Sequence, residues 1–418
     1  MAAVEPEKRI SLKLMALKEQ SKVIFAEARK DFVDVLFIFL TLPLGTIFRL
    51  NLPKECLRTD MCEDMLLRPR NSMEAYYPVL ISTYKNKRCN CGRMLDKPIS
   101  PRTSDVFDGF VKSNPSFMIT DDLKVFPYSF DKIINLLKVS GIKNISSLSE
   151  MTVDITKNQV CISFLTDLFL GKLRRDILHE SGRITSWNLK ANNSDEIEVK
   201  IVLRKSNGKI LLAEGKADFA DLIFSLLTIP LGGALQLMVG CSYVGSVDGL
   251  YKSVVDLDEH YFTTKEVKYK FVDPLLAPQF KLSNLLPLSC YNFPNYYYLS
   301  CNRSKIENYC LTTRYILPTS STSCVSSVYV DPLSDPINNG EGYIKGPTTY
   351  IATDDLVVTP SSPISVMSLL SGMSFPVDDL EEKVVRIGTG VRILQASLIS
   401  TSALTLGLSH LLTKVKEN

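Results

Sequence analysis

Residues 26–45 read AEARKDFVDVLFIFLTLPLG and residues 213–232 read AEGKADFADLIFSLLTIPLG, so the chain contains one segment twice. Eleven of the 20 aligned positions are identical, whereas unrelated segments of ordinary composition match at about one. The register is constant, since 218 − 31 = 187, and the alignment needs no gap. A repeat of this kind predicts an internal duplication and therefore two related structural units.

The sequence upstream of each copy predicts a β-hairpin. In the second copy, apolar and polar residues alternate over 197–204, which is the period of a half-buried strand. Asn207 and Gly208 then predict a tight type I′ turn, and residues 210–213 form the expected return strand. Residues 11–25 align with this hairpin in the same register, so the first copy is predicted to form the same structure.

The apolar run that follows each hairpin predicts a buried helix that ends at Pro-Leu-Gly. Asp31 and Asp218 are the expected N-cap residues, because aspartate side chains accept the free N–H groups of a first helical turn. The apolar runs cover residues 35–48 and 222–241. Proline and glycine interrupt both runs and the first is short for a membrane span of about 20 residues, which favours core helices over membrane contact.

A second repeated block, Thr-Asp-Asp-Leu, begins at Thr120 and again at Thr353. The offset here is 353 − 120 = 233, so the second copy holds 233 − 187 = 46 additional residues between its blocks. The predicted fold is α+β, with two tandem related domains that each form a β-hairpin, a buried helix, and further strands and helices. The predicted boundaries are 8–173 for the first domain, 174–196 for a linker, and 197–418 for the second domain with its larger insertion.

Composition narrows the class of protein. The net charge of +3 gives no strong signal for nucleic-acid binding, which usually needs a concentrated basic face. The first residues contain no apolar signal-peptide core. Ten cysteines at irregular spacing are typical of free thiols in a reducing compartment, so the expected location is the cytoplasm or the nucleus.

One group of cysteines suggests a metal site. Cys89 and Cys91 stand one residue apart before Gly92, and such a pair supplies half of a tetrahedral zinc site. Cys56 and Cys62 are the candidates for the other two ligands. The spacing departs from the usual zinc-knuckle pattern, so free cysteines on a loop are the alternative. In the comparable part of the second copy the candidate thiols are Cys301, Cys310 and Cys324.

The repeated acidic residues do not predict catalysis. Asp121 and Asp122 are adjacent, as are Asp354 and Asp355, so their side chains would point to opposite faces of a strand. A turn or strand-start role is favoured, because aspartate side chains bond to nearby backbone. Glu27 and Glu214 are interpreted as structural residues near each helix start. The chain's three histidines, which lie outside the repeated blocks, are His179, His260 and His410.

The repeated segment, a Cys-x-Cys-Gly element and a Thr-Asp-Asp-Leu block together resemble the plant-specific family of domain of unknown function 674. The matching pieces are 213–232, 250–254, 89–92, 353–356 and 396–405. The resemblance implies tandem units and a cysteine region that joins a Cys couple to the Cys-x-Cys-Gly element. This chain keeps only part of that set in each copy. The family implies an architecture and no established activity.

The function favoured by these patterns is a non-catalytic intracellular interaction or scaffold protein. Its protein partner is expected to bind the divergent loop regions, residues 51–105 and 241–350. One alternative is a small-ligand-binding protein or an enzyme that uses a groove between the domains. Another is peripheral membrane association through the two Pro-Leu-Gly segments.

Overall fold

The computed structural model of the protein describes most of the two repeated segments and parts of the regions between them. The described residues are 9–18, 22–47, 57, 66, 80–81, 98–99, 109–156, 159–160, 196–238, 245–272, 296–301, 308–312, 324–330, 343–344, 348–372 and 376–414. Of the predicted linker, only Glu196 falls within these ranges.

The described residues form fifteen strands and ten α-helices. The strands are β1 (Arg9–Leu17), β2 (Lys22–Ala28), β3 (Leu80–Ile81), β4 (Pro98–Ile99), β5 (Phe117–Thr120), β6 (Val125–Pro127), β7 (Leu148–Thr156), β8 (Ile197–Arg204), β9 (Ile210–Gly215), β10 (Tyr296–Cys301), β11 (Asn308–Thr312), β12 (Cys324–Val330), β13 (Tyr350–Thr353), β14 (Val358–Pro360) and β15 (Leu380–Ile387). The helices are α1 (Lys30–Thr41), α2 (Leu44–Ile47), α3 (Phe130–Val139), α4 (Ala217–Ser225), α5 (Leu231–Leu237), α6 (Gly245–Asp256), α7 (Lys265–Val272), α8 (Pro363–Ser371), α9 (Val391–Ile399) and α10 (Ala403–Lys414).

Two of the sheets have five antiparallel strands and the same strand order. The first sheet has the order β6-β5-β2-β1-β7, and the second has the order β14-β13-β9-β8-β15. In each sheet the N-terminal hairpin pairs with a later strand on either side. This arrangement confirms the predicted α+β class, with one sheet in each half of the chain.

The second hairpin forms where the alternating pattern predicts it. The side chains of Ile197, Val199 and Ile201 are buried and those between them are exposed. The turn, however, is not type I′, because Gly208 has a positive φ of 70° but Asn207 does not. The loop closes instead through a hydrogen bond from Gly208 N–H to the carbonyl of Arg204, at 2.8 Å.

The helices α1 and α4 are buried as predicted, but their N-caps are not the expected aspartates. Arg29 and Lys216 occupy the N-cap positions, so Asp31 and Asp218 lie in the first helical turn. Asp218 Oδ1 accepts a hydrogen bond from the next residue's N–H, which is not a capping contact. A carboxylate at this position still interacts favourably with the helix dipole.

The two Pro-Leu-Gly segments pair with each other and join the halves. Leu44 N–H donates to the carbonyl of Ile229 at 2.8 Å, and Leu231 N–H donates to that of Leu42 at 2.9 Å. These two bonds are equivalent under the repeat, since 44 + 187 = 231 and 42 + 187 = 229. The contact is therefore reciprocal, like the self-complementary interface of a two-fold dimer, but it lies within one chain.

A third sheet combines strands from both halves in the order β12-β10-β11-β4-β3. Its strands lie in the two regions that the sequence suggested were divergent loops. Within this sheet, the strands of the two halves meet at the parallel pairing of β11 with β4, where Leu311 lies opposite Ile99. The divergent regions therefore contribute to one shared structural element.

Candidate functional site

The predicted zinc ligands cannot be placed. Cys56, Cys62, Cys89 and Cys91 lie outside the described residues. Within the described parts of the chain, no group of three or more histidine, cysteine, aspartate or glutamate residues is arranged to hold a metal ion.

Two buried aspartates, Asp34 and Asp221, hold a later segment of each half against its helix. Oδ1 of Asp34 accepts hydrogen bonds from the N–H groups of Phe110 and Val111, at 2.8 and 3.0 Å. Oδ1 of Asp221 accepts the same two bonds from residues 343 and 344, at 2.7 and 3.1 Å. Both aspartates are part of the 187-residue repeat, and their partners are related by the 233-residue offset.

In the first half this contact includes a lysine. Nζ of Lys30 lies 3.0 Å from Oδ2 of Asp34 and donates to the carbonyl of Val111 at 2.8 Å. Burial raises the pKa of Asp34, while the hydrogen bonds from Lys30 and the two N–H groups oppose that shift. These carboxylates satisfy backbone groups and an ammonium group, so their role is structural.

The repeated Thr-Asp-Asp-Leu blocks form matching hairpin turns, as the turn interpretation predicted. Leu123 and Leu356 occupy the left-handed region, with φ of 54° and 65°. This is the third position of a three-residue hairpin loop, which normally favours glycine. The threonine hydroxyl of each block donates to the second aspartate. No part of this geometry resembles a pair of carboxylates that converge on a substrate.

The first aspartate of the second block has a further role. Asp354 accepts hydrogen bonds from the N–H and the hydroxyl of Thr405, at 2.8 and 3.0 Å. Its own carbonyl accepts from Ala403 N–H at 2.8 Å. Asp354 therefore caps the N-terminus of α10 from a distant turn, whereas its counterpart Asp121 is exposed.

Asp354 predicts a pH dependence of stability. Burial raises its pKa above the ordinary value of 3.8, although the Thr405 donors oppose the shift. The folded state then binds the proton more tightly than the unfolded chain. The stability contributed by this group therefore falls as pH rises from the unfolded-state pKa through the higher folded-state pKa. We expect the difference in unfolding free energy between wild type and Asp354→Asn to be larger at pH 4 than at pH 7. Urea denaturation at both pH values measures it, and an equal or reversed difference would contradict the assignment.

The remaining predicted polar residues lie apart. Glu214 is in strand β9 and accepts from the hydroxyl of Ser361, so its contact is with another strand end and not with the helix start. His260 lies in an exposed turn beside Asp258. His410 is in α10, and His179 falls outside the described residues.

A groove between the halves is the candidate site. Strand β6 and helix α3 of the first half form one wall, and helix α6 of the second half forms the other. Its volume is about 400 Å³. The lining residues are Lys124, Val125, Phe126, Lys132, Asn135, Leu136, Val139, Lys252, Ser253 and Asp256.

Small residues on α6 allow the two walls to meet. A side chain at Gly249 would overlap the carbonyl oxygen of Asp122, so only glycine permits this approach. One turn later, the buried hydroxyl of Ser253 accepts the N–H of Val125 at 2.7 Å and donates to the carbonyl of Gly249 at 2.6 Å. The groove therefore has a fixed floor where the first sheet contacts α6.

The groove is basic. Its ionisable lining residues are three lysines and one aspartate. Nζ of Lys124 lies 2.6 Å from Oδ2 of Asp122, and Nζ of Lys132 lies 5.1 Å from the ring centre of Phe126. The equivalents of Lys124 and Lys132 in the second half, at an offset of 233, are Val357 and Ser365. The two lysines that the first half contributes to the groove therefore have no basic counterpart in the second half.

Exposed apolar side chains flank α3. Val139, which lines the groove, is 80% exposed, and Phe130 at the start of the same helix is 68% exposed. Tyr128, just before the helix, is 57% exposed. Phe130 and Val139 lie nine residues apart on opposite faces of α3, so of these three residues Val139 is the one that lies beside the lysines of the groove.

The Pro-Leu-Gly segments, by contrast, are buried. Leu44 and Leu231 are 3% and 2% exposed, because each segment packs against the other. Membrane contact through these segments would require the halves to separate. Among the helices in the described ranges, none has both the length and the apolar character needed to cross a bilayer.

A family model matches most of the chain. The model of the family described as protein of unknown function (DUF674) matches residues 6–53 and 78–390. Neither the curated proteins nor the solved structures give a match.

Proposed function

The chain belongs to the DUF674 family of proteins of unknown function, and we propose from its groove that it is a non-catalytic interaction protein. The ligand is an acidic segment of a partner protein that also carries apolar side chains. The observation that supports this proposal most directly is the basic groove between β6, α3 and α6.

The charge of the groove favours an anionic ligand. Three lysines and one aspartate line a volume of about 400 Å³, and because Asp122 already pairs with Lys124, the excess positive charge comes from Lys132 and Lys252 against Asp256. Complementary charge increases the rate of encounter and selects among partners. The sequence as a whole is nearly neutral, with 48 basic and 45 acidic residues, so the attraction is local to this groove.

An exposed apolar side chain in the groove favours a peptide over a bare anion. Val139 lines the groove beside the lysines and is 80% exposed. A partner segment with alternating acidic and apolar side chains would contact both the lysines and this side chain. Helix α6, the opposite wall, lies within the region 241–350 that the sequence analysis proposed as a binding region.

A small anionic ligand is the second candidate. The groove volume lies within the range of small-molecule sites, which is about 300–1,000 Å³. The polar groups available to orient such a ligand include Asn135 and the three lysines. This candidate retains the predicted inter-domain groove but replaces the partner protein with a metabolite.

Several finer expectations are also proposals. The equal strand order of the two sheets and the reciprocal Pro-Leu-Gly pairing support an internal duplication. A cytoplasmic or nuclear location and a plant origin follow from composition and from the family resemblance. Zinc binding by Cys56, Cys62, Cys89 and Cys91 is tested by metal analysis of the purified protein beside a Cys89→Ser, Cys91→Ser variant.

A peptide titration tests the proposed function. We expect a fluorescein-labelled peptide of alternating glutamate and leucine to bind, and a peptide of alternating lysine and leucine not to bind. The Lys132→Glu, Lys252→Glu variant should bind the acidic peptide on the order of tenfold to 100-fold more weakly, because two attractions become repulsions. Fluorescence anisotropy measures this, and added salt should weaken binding to the wild type.

The matched control is Lys13→Glu with Lys22→Glu, two exposed lysines on β1 and β2 outside the groove. It makes the same number of charge reversals without altering the site, so it should bind like the wild type. Equal affinity of the double variant and the wild type would refute the groove as the binding site.

A further inference from the structure

Two cysteines lie opposite each other in the third sheet. Strands β10 and β12 are antiparallel, and their register places Cys301 opposite Cys324. The register shifts between Ser300 and Cys301, because Ser300 lies opposite Ser326. Residue 325 is therefore an extra residue of β12, and this irregularity brings the two cysteines into register.

The backbone positions suit a disulfide bond. Directly opposed residues of a regular antiparallel ladder have Cα atoms about 4.5–5.5 Å apart, and the Cys301–Cys324 pair lies at the end of such a ladder, next to its register shift. Disulfides join residues whose Cα atoms are usually about 4.4–6.8 Å apart. The β10–β12 pairing therefore permits a bond between these two positions without large backbone movement.

A third cysteine on the other side of β10 is less well placed. Cys310 of β11 lies opposite Leu299, whereas Asn308 lies opposite Cys301. Cys310 and Cys301 are thus diagonal neighbours, and such positions are about 7–8 Å apart. That separation exceeds the range that a disulfide spans without backbone movement.

We infer that Cys301 and Cys324 form a reversible disulfide that links β10 to β12. The oxidant is a small disulfide such as glutathione disulfide. One cysteine thiolate attacks it, forming a mixed disulfide and releasing one glutathione thiolate. The second cysteine thiolate then attacks the protein sulfur of the mixed disulfide and releases the other glutathione. Two protein thiols are oxidised and one glutathione disulfide is reduced to two thiols.

The bond would fasten the edge of the shared sheet. Strand β12 is terminal in the order β12-β10-β11-β4-β3, so its ladder contacts within that sheet are with β10. A crosslink at Cys301 and Cys324 ties this edge strand to a sheet that both halves build. The thiol–disulfide state of the environment would then determine how firmly β12 is held.

Peptide mapping of the full-length protein tests the inference. The protein is incubated with glutathione disulfide, quenched with acid, treated with iodoacetamide and digested with trypsin. Cleavage after Lys281, Arg303, Arg314 and Lys345 gives peptides 282–303 and 315–345, which carry Cys301 and Cys324, while Cys310 lies in peptide 306–314. Peptide 282–303 also contains Cys290, so the mapping is repeated in a Cys290→Ser variant.

We expect linkage of 282–303 to 315–345 in the wild type and in the Cys290→Ser and Cys310→Ser variants, with loss of the link on addition of dithiothreitol. Cys301→Ser and Cys324→Ser should each abolish it. Stable glutathionylation without linkage, or an equally abundant link to 306–314, would overturn the inference. Protection from iodoacetamide that a chelator removes would also overturn it and would indicate metal binding instead.

Discussion

Replacing Asp34 by alanine is expected to lower the free energy of unfolding by about 3–5 kcal/mol. The substitution removes the carboxylate that accepts the N–H groups of Phe110 and Val111. It also leaves the ammonium group of Lys30 in a largely buried position, since its side chain is 11% exposed. A buried charge that loses its carboxylate and two donors that lose their acceptor are among the most costly consequences of a single substitution.

Asp131→Ala provides the control for this measurement. Asp131 is an exposed aspartate in the first helical turn of α3. Its interaction with the helix dipole amounts to about 0.3–1 kcal/mol. Guanidinium denaturation followed by circular dichroism should separate the two variants clearly. Similar losses for both would show that the contact between Asp34 and residues 110–111 does not stabilise the first half.

Gly232→Ala is expected to destabilise the contact between the halves by about 3 kcal/mol. A Cβ atom at this position would lie 2.6 Å from the carbonyl oxygen of Phe271 and 3.0 Å from that of Leu40. Both obstacles are backbone atoms, so no side-chain rotation relieves the overlap. The paired Pro-Leu-Gly segments must move apart to accommodate the methyl group.

The control for this second variant is Gly372→Ala at the end of α8. A Cβ atom there would meet its nearest neighbours at 3.6 Å, which is ordinary contact. Thermal or chemical denaturation should give a change within about 0.5 kcal/mol, as for most surface substitutions. If Gly232→Ala were equally mild, the close approach of the two segments would not be required for stability.

The sequence pattern predicted the elements that depend on local periodicity. Alternation over 197–204 identified β8, and the apolar runs identified α1 and α4. The N-cap of α1 is Arg29 and not Asp31, and Lys30, the first residue of the helix, is held in the contact with Asp34 and Val111. Lys30 and Val111 are 81 positions apart, and the spacing of residues along one sequence does not reveal a contact over that distance.

The same limitation hid the Asp34 and Asp221 clamps and the groove. Asp34 and Asp221 are equivalent at the offset of 187, but the residues that donate to them are equivalent at the offset of 233. One offset alone therefore does not connect either aspartate with its donors. Applying both offsets, 187 and 233, to the sequence would have related each aspartate and its donors to the equivalent contact in the other half. The groove requires α6 of the second half to pack on β6 of the first, and its three lysines are scattered in the sequence.

The two divergent regions also differ from expectation. Residues 51–105 and 241–350 suggested loops, yet strands from both regions pair in the third sheet. The strands contributed by the first region, β3 and β4, have two residues each, which is too short for a periodic signal. Their pairing depends on the second region being present, so no window of local sequence predicts it.

Site-specific photo-crosslinking tests most directly whether the groove is where a partner binds. Benzoylphenylalanine replaces Val139, which lines the groove, or Val384, a 54% exposed residue on edge strand β15 as the control. We predict that the probe at position 139 captures a segment rich in acidic residues, that Lys132→Glu with Lys252→Glu abolishes this capture, and that the probe at position 384 does not yield it. Capture at position 139 that is unaffected by the charge reversals, or that yields segments without acidic residues, would contradict the proposed function.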